Sequence, residues 1–427
     1  PQYNPGKRLH DALKRGMKLI VIDPRRTECA EKALIHLQCK PGEDPTILAG
    51  IANIIIGEKL YDEAFMQAEA EGFEALRAAV APFTPAYVAR RADVPRDQLL
   101  AAARTFAGAR RGMTTAGTGP NMAPRGTLTE YLVLVINTLC GRWLRAGEPM
   151  PNPFVLLPER RGRAQSEPKP PAWGYGEQLR VRDLTDNAGG LSAAALADEI
   201  LLPGEGQVKA LFSIGGNPMT AWPDQLKTHQ AMQALKLNVS LDIKMSATAK
   251  MADYVLPPKL GLEAPAISQP NEGIWFYGAS TGFPEPYAMY QPKIVDPPGG
   301  SDLLEEWEVF YGLAQRMGLE LTFAGERLDM HSAPSTDTLF ELLCRGSRIP
   351  LDEVNQHPHG HIWNDPSITV LPKSPDWTEK LDVGNPFMMS DLGEVSSEPV
   401  TDHGGYAADM TFTHRLVSRR LNDVYNS

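Results

Sequence analysis

The sequence has few cysteines and no close pair of them. Its four cysteines, Cys29, Cys39, Cys140 and Cys344, stand ten positions or more apart. This spacing excludes a disulfide scaffold, a CxxC zinc site and a local iron–sulfur motif within these residues. Long apolar runs are also missing: the longest, at about residues 131–140, is too short to span a bilayer.

Positive charge and the common nucleotide fingerprints are scarce as well. Lys and Arg number 42 against 52 Asp and Glu, which gives a formal charge of −10, and there is no basic run. Such a chain is a poor candidate for binding nucleic acid or anionic membranes. The spacings GxGxxG and GxxxxGK[ST] are absent, which argues against an NAD- or flavin-binding Rossmann domain and a P-loop NTPase.

What is present is a repeated order of apolar strand, polar or glycine-rich turn, helix and apolar strand. It occurs first over residues 18–37 and again over residues 208–241, and it is typical of a parallel sheet with helices on both faces. With 427 residues, 42% of them hydrophobic, the chain is long enough for two or three domains. We predict an α/β fold with a first α/β domain at 1–175, a second at 176–325 and an irregular connecting segment at 326–427.

Several local features follow from turn and capping signals. Asp44 before Pro45 predicts a helix N-cap, and Thr127 with Glu130 predicts a capping box opening a long helix. Residues 113–117 are predicted to form a strand. Residues 145–190 are rich in proline and arginine and predict a long loop, either functional or a mobile surface segment.

Ligands of open parallel sheets bind beyond the carboxyl ends of the strands, so the residues after each strand are the candidates. Gly215, Gly216 and Asn217 follow a strand directly. Their backbone N–H groups either cradle a phosphate or form a plain turn. Asp23 and Asp242 each end a strand, where a carboxylate either accepts hydrogen bonds from guanine or ribose, or only stabilises a turn.

Other candidates have equally plain alternatives. Arg25 either clamps a phosphate with two hydrogen bonds or is simply solvated, and Asp44 needs no ligand if it only begins a helix. His357, His359 and His361 form a histidine cluster. Three imidazoles can bind zinc or copper, but Pro and Gly between them favour a surface loop.

Read in order, these motifs resemble one family. The matching stretches are Asn4-Pro5, Gly16 with residues 20–27, Pro41-Gly42-Glu43-Asp44, Gly117-Thr118-Gly119, Leu139-Cys140-Gly141, Gly215-Gly216-Asn217-Pro218, Asp242 with Thr248, and residues 252–257 followed by Glu263. Together, over about 260 residues, they resemble the molybdopterin oxidoreductases of the dimethyl-sulfoxide-reductase type.

The resemblance implies two related Rossmann-like parallel-sheet domains that bind bis-molybdopterin guanine dinucleotide around one molybdenum or tungsten. By matching position, Asp23 and Asp44 would contact the guanosine of one cofactor. The phosphate loop of the other would be Gly215-Gly216-Asn217, with its guanosine end at Asp242 and Thr248. Further residues in matching stretches are taken as cofactor-binding, namely Asn4, Arg25, Gly117 and Gly119.

The resemblance also implies what this chain does not contain. The family's N-terminal segment with its 4Fe-4S cluster, its metal-ligating side chain and its C-terminal β-barrel domain fall outside the matching stretches. We therefore expect a central fragment whose own residues bind the cofactor but include no metal ligand, and which by itself does not hold a complete active site.

On this resemblance the chain belongs to a catalytic subunit for two-electron oxygen-atom or hydride transfer. The partners would be a small-molecule substrate and an electron-transfer subunit, with no nucleic acid and no direct membrane span. A non-redox bis-pterin hydratase or hydroxyltransferase is one alternative, and a structural or electron-transfer subunit without metal is another. The substrate and the cellular compartment stay open.

Overall fold

The computed structural model describes residues 5–166, 173–187, 190–276, 280, 281, 283–400 and 414. The helices, in chain order, are α1 Pro5–Lys14, α2 Glu28–Lys32, α3 Asp44–Gly57, α4 Glu63–Glu69, α5 Phe73–Val80, α6 Pro85–Ala92, α7 Arg96–Ala107, α8 Thr118–Asn121, α9 Gly126–Leu139, α10 Leu196–Leu201, α11 Pro218–Ala221, α12 Gln225–Ala234, α13 Gln269–Glu272, α14 Glu306–Met317, α15 Thr336–Leu343, α16 Leu351–Asn355 and α17 Pro386–Ser397.

The strands are short and form small sheets. In chain order they are β1 Ile20–Ile22, β2 Ile35–Leu37, β3 Ala70–Glu71, β4 Trp173–Gln178, β5 Thr185–Asn187, β6 Ala210–Ile214, β7 Leu237–Leu241, β8 Tyr254–Leu256, β9 Ala266–Ile267, β10 Trp275–Phe276, β11 Ser280–Thr281, β12 Tyr287–Ala288, β13 Tyr290–Gln291, β14 Thr322–Phe323, β15 Glu326–Arg327, β16 His361–Ile362 and β17 Leu381–Asp382.

Two parallel sheets carry the predicted pattern. Strands β1 and β2 pair in parallel, with Ile22 opposite Leu37. Strands β6, β7 and β8 form a parallel three-stranded sheet, in which Ile214, Leu241 and Leu256 lie side by side. The carboxyl ends of the paired strands are therefore level, and the turns that follow them share one edge of each sheet.

The largest hydrophobic core surrounds α3. This helix is apolar on nearly all faces, and eleven of its fourteen residues are buried. It packs against α5, α6, α7 and α9, and Gly50 lets α6 approach so closely that an added Cβ would lie 2.7 Å from a methyl group of Val88. Burying each leucine or isoleucine contributes about 1.5–3 kcal/mol.

The chain returns to this core near its far end. Helix α17 contacts α3, α5 and α9, and its Leu392 and Val395 are buried in the same core. Strand β17 pairs in parallel with β3. There Gly72, whose φ is +80°, and Gly384 touch through their backbones, an approach that no side chain would allow.

Four local predictions are wrong. The N-cap of α3 is Glu43 rather than Asp44, and α9 begins at Gly126 with Arg125 as its N-cap and no side-chain capping bond. Residues 113–117 form no strand but an extended connection to α8. The first two errors are shifts of one and two residues, which is the usual uncertainty of a helix boundary read from local signals.

The fourth concerns the segment from residue 326 to the last described residues. Sequence signals there are weak and predicted irregular chain, yet α15, α16 and α17 lie within it. Within the predicted 145–190 loop, residues 145–166 have no helix, but β4 and β5 form an antiparallel hairpin. The domain boundaries at 175 and 325 stay predictions.

Candidate functional site

The carboxyl edge of the first sheet begins at Asp23, directly after β1. The Asp23 carboxylate accepts a hydrogen bond from the backbone N–H of Arg25 at 2.7 Å, which makes an Asx turn. A ring nitrogen of His36 lies 2.9 Å from the Asp23 carbonyl oxygen. The carboxylate is therefore held at the sheet edge with acceptor capacity left for a ligand, since an ionised carboxylate offers about four lone-pair sites.

Asp44 lies close to Asp23, as the sequence pattern requires of residues after neighbouring parallel strands. Burial raises the pKa of the Asp44 carboxyl, and the negative charges of Asp23 and Glu43 raise it further. The buried thiol of Cys39 stands beside them, and burial together with the Asp44 charge raises its pKa to about 12. This edge thus concentrates negative charge and favours a ligand with hydrogen-bond donors.

Sequence reasoning missed the buried ion pair behind this edge. Arg91 and Glu43 are both almost fully buried, and the Arg91 Nε lies 2.8 Å from a carboxylate oxygen of Glu43. The same oxygen accepts the hydroxyl of Thr46 at 2.7 Å. Because 48 residues separate the two partners, no local sequence motif could have predicted the pair. The structure reveals it through the burial of Arg91, since a buried arginine needs a charged partner.

At the edge of the second sheet, Gly215 and Gly216 form the turn after β6. Gly215 has a φ of +58°, the left-handed region that favours glycine, and its N–H donates to the carbonyl oxygen of Leu241 at 2.9 Å. An added Cβ on Gly215 would meet nothing within 4 Å, and one on Gly216 only the Ile214 carbonyl oxygen at 3.8 Å. The space above both glycines is open to a ligand.

Asn217 and Thr248 join the two turns of this edge. The Asn217 side-chain oxygen accepts hydrogen bonds from the Thr248 hydroxyl at 2.8 Å and from its N–H at 3.2 Å. The same hydroxyl accepts from the N–H of Met219 at 3.0 Å, and Thr248 is fully buried. Thr248 therefore holds the residues after the glycine turn in place, and its hydroxyl already makes hydrogen bonds to Asn217 and Met219.

The remaining candidates lie at or near these edges. The Asp242 carboxylate forms the same kind of Asx turn as Asp23, accepting from Lys244 N–H at 3.1 Å. The Arg25 side chain is exposed. Gly117 precedes α8 and Gly119 lies within it, and neither has an atom within 4 Å of an added Cβ. Asn4 lies outside the described residues.

The groups at each of these edges are chemically compatible with phosphate and nucleoside groups of a ligand. Glycines with open space above them let backbone N–H groups meet a phosphate. Carboxylates at Asp23, Asp44 and Asp242 match the N–H donors of guanine and the hydroxyls of ribose. The first sheet edge thus offers carboxylate acceptors, and the second offers a carboxylate acceptor together with backbone N–H donors.

A further carboxylate outside these edges is bound by backbone alone. Glu272 is buried, and it accepts hydrogen bonds from the N–H groups of Val155 at 2.8 Å and Leu156 at 3.0 Å. Phe154, at φ +66°, shapes this anion-binding nest. Burial raises the pKa of Glu272, although the backbone donors and Arg348 oppose the rise. The contact fixes the otherwise irregular residues after 145.

Within the described part of the chain, no group of three or more His, Cys, Asp or Glu side chains is arranged to hold a metal ion. The rings of His357 and His361 stack at 4.5 Å beside Trp363, and His359 is exposed. The histidine cluster is thus a packed surface turn. None of the described helices is both long and apolar enough to cross a membrane.

Comparisons with known proteins identify the family. Residues 6–275 match the family profile of the molybdopterin oxidoreductases. Acetylene hydratase of Syntrophotalea acetylenica is 29% identical over 345 residues, which are 74% of this chain and 45% of that protein. Formate dehydrogenase H of Escherichia coli is 27% identical over 324 residues, 73% of this chain and 43% of that protein.

The fold agrees too. The solved structure of acetylene hydratase from Pelobacter acetylenicus superposes with a TM-score of 0.60 at 22% identity, covering 91% of this chain and 54% of that one. The chain spans about half the length of the curated relatives it matches. Since the family profile covers more than half of the chain, the chain belongs to the molybdopterin oxidoreductases of the dimethyl-sulfoxide-reductase type.

Proposed function

We propose that this chain holds the cofactor of a molybdenum- or tungsten-dependent catalytic subunit that uses bis-molybdopterin guanine dinucleotide. The observation that carries the proposal is the pair of parallel sheets whose carboxyl edges present carboxylates and open glycine turns. Two similar edges suit two similar dinucleotides, and membership of the family supports a pterin cofactor with molybdenum or tungsten.

The residues divide the work between binding and positioning. Asp23 and Asp44 accept hydrogen bonds from the guanosine of one dinucleotide. Gly216 donates its backbone N–H to the phosphates of the other, above the turn that Gly215 makes, with Asp242 at its guanosine end. Thr248 acts on this second site through Asn217, because its hydroxyl is buried and already bonded.

Arg25, Gly117 and Gly119 complete the proposed contacts. The exposed Arg25 guanidinium supplies charge for phosphate or pterin oxygens, and the two glycines leave room at the end of the connection before α8. When bound, the metal and its pterins supply the two-electron chemistry of oxygen-atom or hydride transfer, while the protein orients them. An electron-transfer subunit would accept or supply the electrons.

Non-redox hydration is the second candidate function. It is favoured by one relative and one structural neighbour, both named acetylene hydratase. The two functions separate by assay: an oxidoreductase reduces or oxidises an artificial electron carrier when given its substrate, whereas a hydratase adds water with no change in the carrier.

The test uses the full-length protein, purified from a host that makes the cofactor. Metal analysis, pterin fluorescence after oxidation and guanine nucleotide released by acid should give two pterins and two GMP for each molybdenum or tungsten. Folded protein without metal, pterin and nucleotide would contradict both enzyme functions and leave a structural subunit.

A further inference from the structure

Two candidate cofactor loops of the first region meet at one distant carboxylate. We call residues 41–44 the first loop and residues 117–125 the second loop. Glu398, at the end of α17, places one carboxylate oxygen 2.7 Å from Arg91 and the other 2.7 Å from Arg125. The two guanidinium groups are thus joined by a single side chain more than 270 residues further along the chain.

Arg91 connects Glu398 with the first loop through its ion pair with Glu43. Its guanidinium is buried and binds the Glu43 carboxylate at 2.8 Å, besides the hydroxyl of Tyr87 and the carbonyl oxygen of Val395. Glu43 is the N-cap of α3 and the neighbour of Asp44. The position of Asp44 therefore depends on where Arg91 holds Glu43.

The Arg125 arm leads to the second loop. Arg125 is the N-cap of α9 and has a φ of +63°, and its carbonyl oxygen accepts the N–H of Thr129 at 3.0 Å. Next to it, Gly126 lies so close to the Asn121 backbone that an added Cβ would be 2.0 Å from its carbonyl oxygen. Movement of Arg125 would thus be passed to α8 and the glycines before it.

Charge and space agree with this link. Only the Arg91 guanidinium is buried, and it faces the carboxylates of Glu43 and Glu398, as a buried charge requires. The partly exposed Arg125 pairs with Glu398 and Glu394. A cavity of about 260 Å³ lies between the two loops. It is lined by Gly42 and Pro45 from the start of α3, by Pro124 and Arg125 from the second loop, and by Arg91, Val395 and Glu398.

We propose that Glu398 is a positioning residue, which through Arg91 and Arg125 sets the spacing of the two candidate cofactor loops, the first of which carries Asp44. The inference rests on the proposed function and adds to it a residue from the returning helix α17. It assigns no contact between Glu398 and the cofactor itself.

Hydrogen exchange on the full-length protein tests the link directly. In Glu398→Gln, which keeps the side-chain shape but removes the charge, amides in peptides covering residues 43–48 and 118–130 should both exchange about tenfold faster. Glu394→Gln is the matched control, because Glu394 lies on the same helix and, among the residues that the structure describes, its carboxylate pairs with Arg125 alone and from an exposed position. Amide exchange in this variant should stay close to wild type.

A second variant keeps the test open if Glu398→Gln does not fold. Arg125→Gln cuts one arm only, so residues 118–130 should loosen while residues 43–48 keep wild-type exchange. If Glu398→Gln folds and loosens neither loop or only one of them, or if Glu394→Gln has the same effect, the inference is wrong.

Cofactor release separates this inference from the proposed function. Glu398→Gln should lose pterin about tenfold faster than wild type during dilution, and Glu394→Gln at the wild-type rate. Equal release from Glu398→Gln and wild type, both loaded with pterin, would overturn the inference. Wild-type protein without pterin would overturn the proposed function instead, and the exchange experiment would still judge whether Glu398 links the loops.

Discussion

At the scale of single residues, the two Asx turns show how one carboxylate can serve structure and binding together. One carboxylate oxygen of Asp23 and one of Asp242 each accept a hydrogen bond from the backbone N–H two residues later in the chain. The turn and the guanosine contact, which looked like alternatives in the sequence, are therefore compatible. Asp and Asn both make such turns, so charge and turn formation can be separated by mutation.

Asp242→Asn should keep the fold and weaken cofactor retention. The amide oxygen can still accept from Lys244, but the charged acceptor for guanosine is lost, and charged hydrogen bonds are worth about 1.5–3 kcal/mol. Release of pterin should become roughly ten- to a hundredfold faster. Asp224→Asn is the control, since Asp224 caps α12 in the same chemical way; equal release rates for both variants would contradict the assignment.

Asp44→Asn should stabilise the cofactor-free protein and yet weaken cofactor binding. The pKa of Asp44 is raised in the folded state by burial and by Asp23 and Glu43, so its ionisation costs stability as the pH rises through that pKa. The variant should gain on the order of 1 kcal/mol at pH 7 and nothing at pH 3. Denaturant unfolding at both pH values measures this, and an equal gain at both would contradict it.

At the scale of elements, the sequence predicted the parts whose signals are local. Strands β1, β2, β6 and β7 and the glycine turn after β6 were found because apolar runs and turn residues stand next to each other in the chain. The ion pairs of Arg91 with Glu43 and Glu398 were not predicted, because these partners lie 48 and 307 residues from Arg91 in the chain. Helix α17 was missed because its apolar pattern is weak and Gly393 interrupts it, although Asn385 before Pro386 is the same kind of start signal as Asp44 before Pro45.

The return of α17 depends on the backbone contact between Gly72 and Gly384. In Gly384→Ala the new Cβ would lie 2.2 Å from the Gly72 carbonyl oxygen, and such overpacking costs about 1–3 kcal/mol. Gly393→Ala, on the exposed face of the same helix with nothing within 4 Å, should instead gain about 0.5–1 kcal/mol. Thermal unfolding measures both, and shifts of the same sign would contradict this reading of β17.

At the scale of the whole molecule, the buried residues form separate cores. The core around α3 includes residues of α17, whereas Ala197, Ile200 and Ala231 form a core beside the three-stranded sheet. A third cluster joins Val155 and Leu156 with residues of the later segment. Separate cores favour unfolding in more than one step, so the stability of the chain is not one number.

Acid should lower the stability of the core around α3, because it protonates Glu398 and breaks the ion pairs of Glu398 with Arg91 and Arg125. Burial would raise the pKa of Glu398, but hydrogen bonds from Arg91 and Arg125 outweigh it and lower the pKa below its usual 4.5. The stabilisation is therefore present above that pH and lost as the pH falls through the lower folded-state pKa. Calorimetry should show that the midpoint temperature of one unfolding transition decreases as the pH falls below about 5. In Glu398→Gln this decrease should be smaller.

The late position of α17 has a consequence for how the protein is made. The core around α3 contains residues from the first 140 positions, but it also needs Leu392 and Val395. At synthesis rates of about 5–20 residues per second, the ribosome takes roughly 12–50 s to pass from the end of α9 to α17. For that time we expect the core around α3 to lack the cover of α17, so that its apolar surface is open to chaperones. We also expect the two cofactor loops to lack their link through Glu398 until α17 has been made.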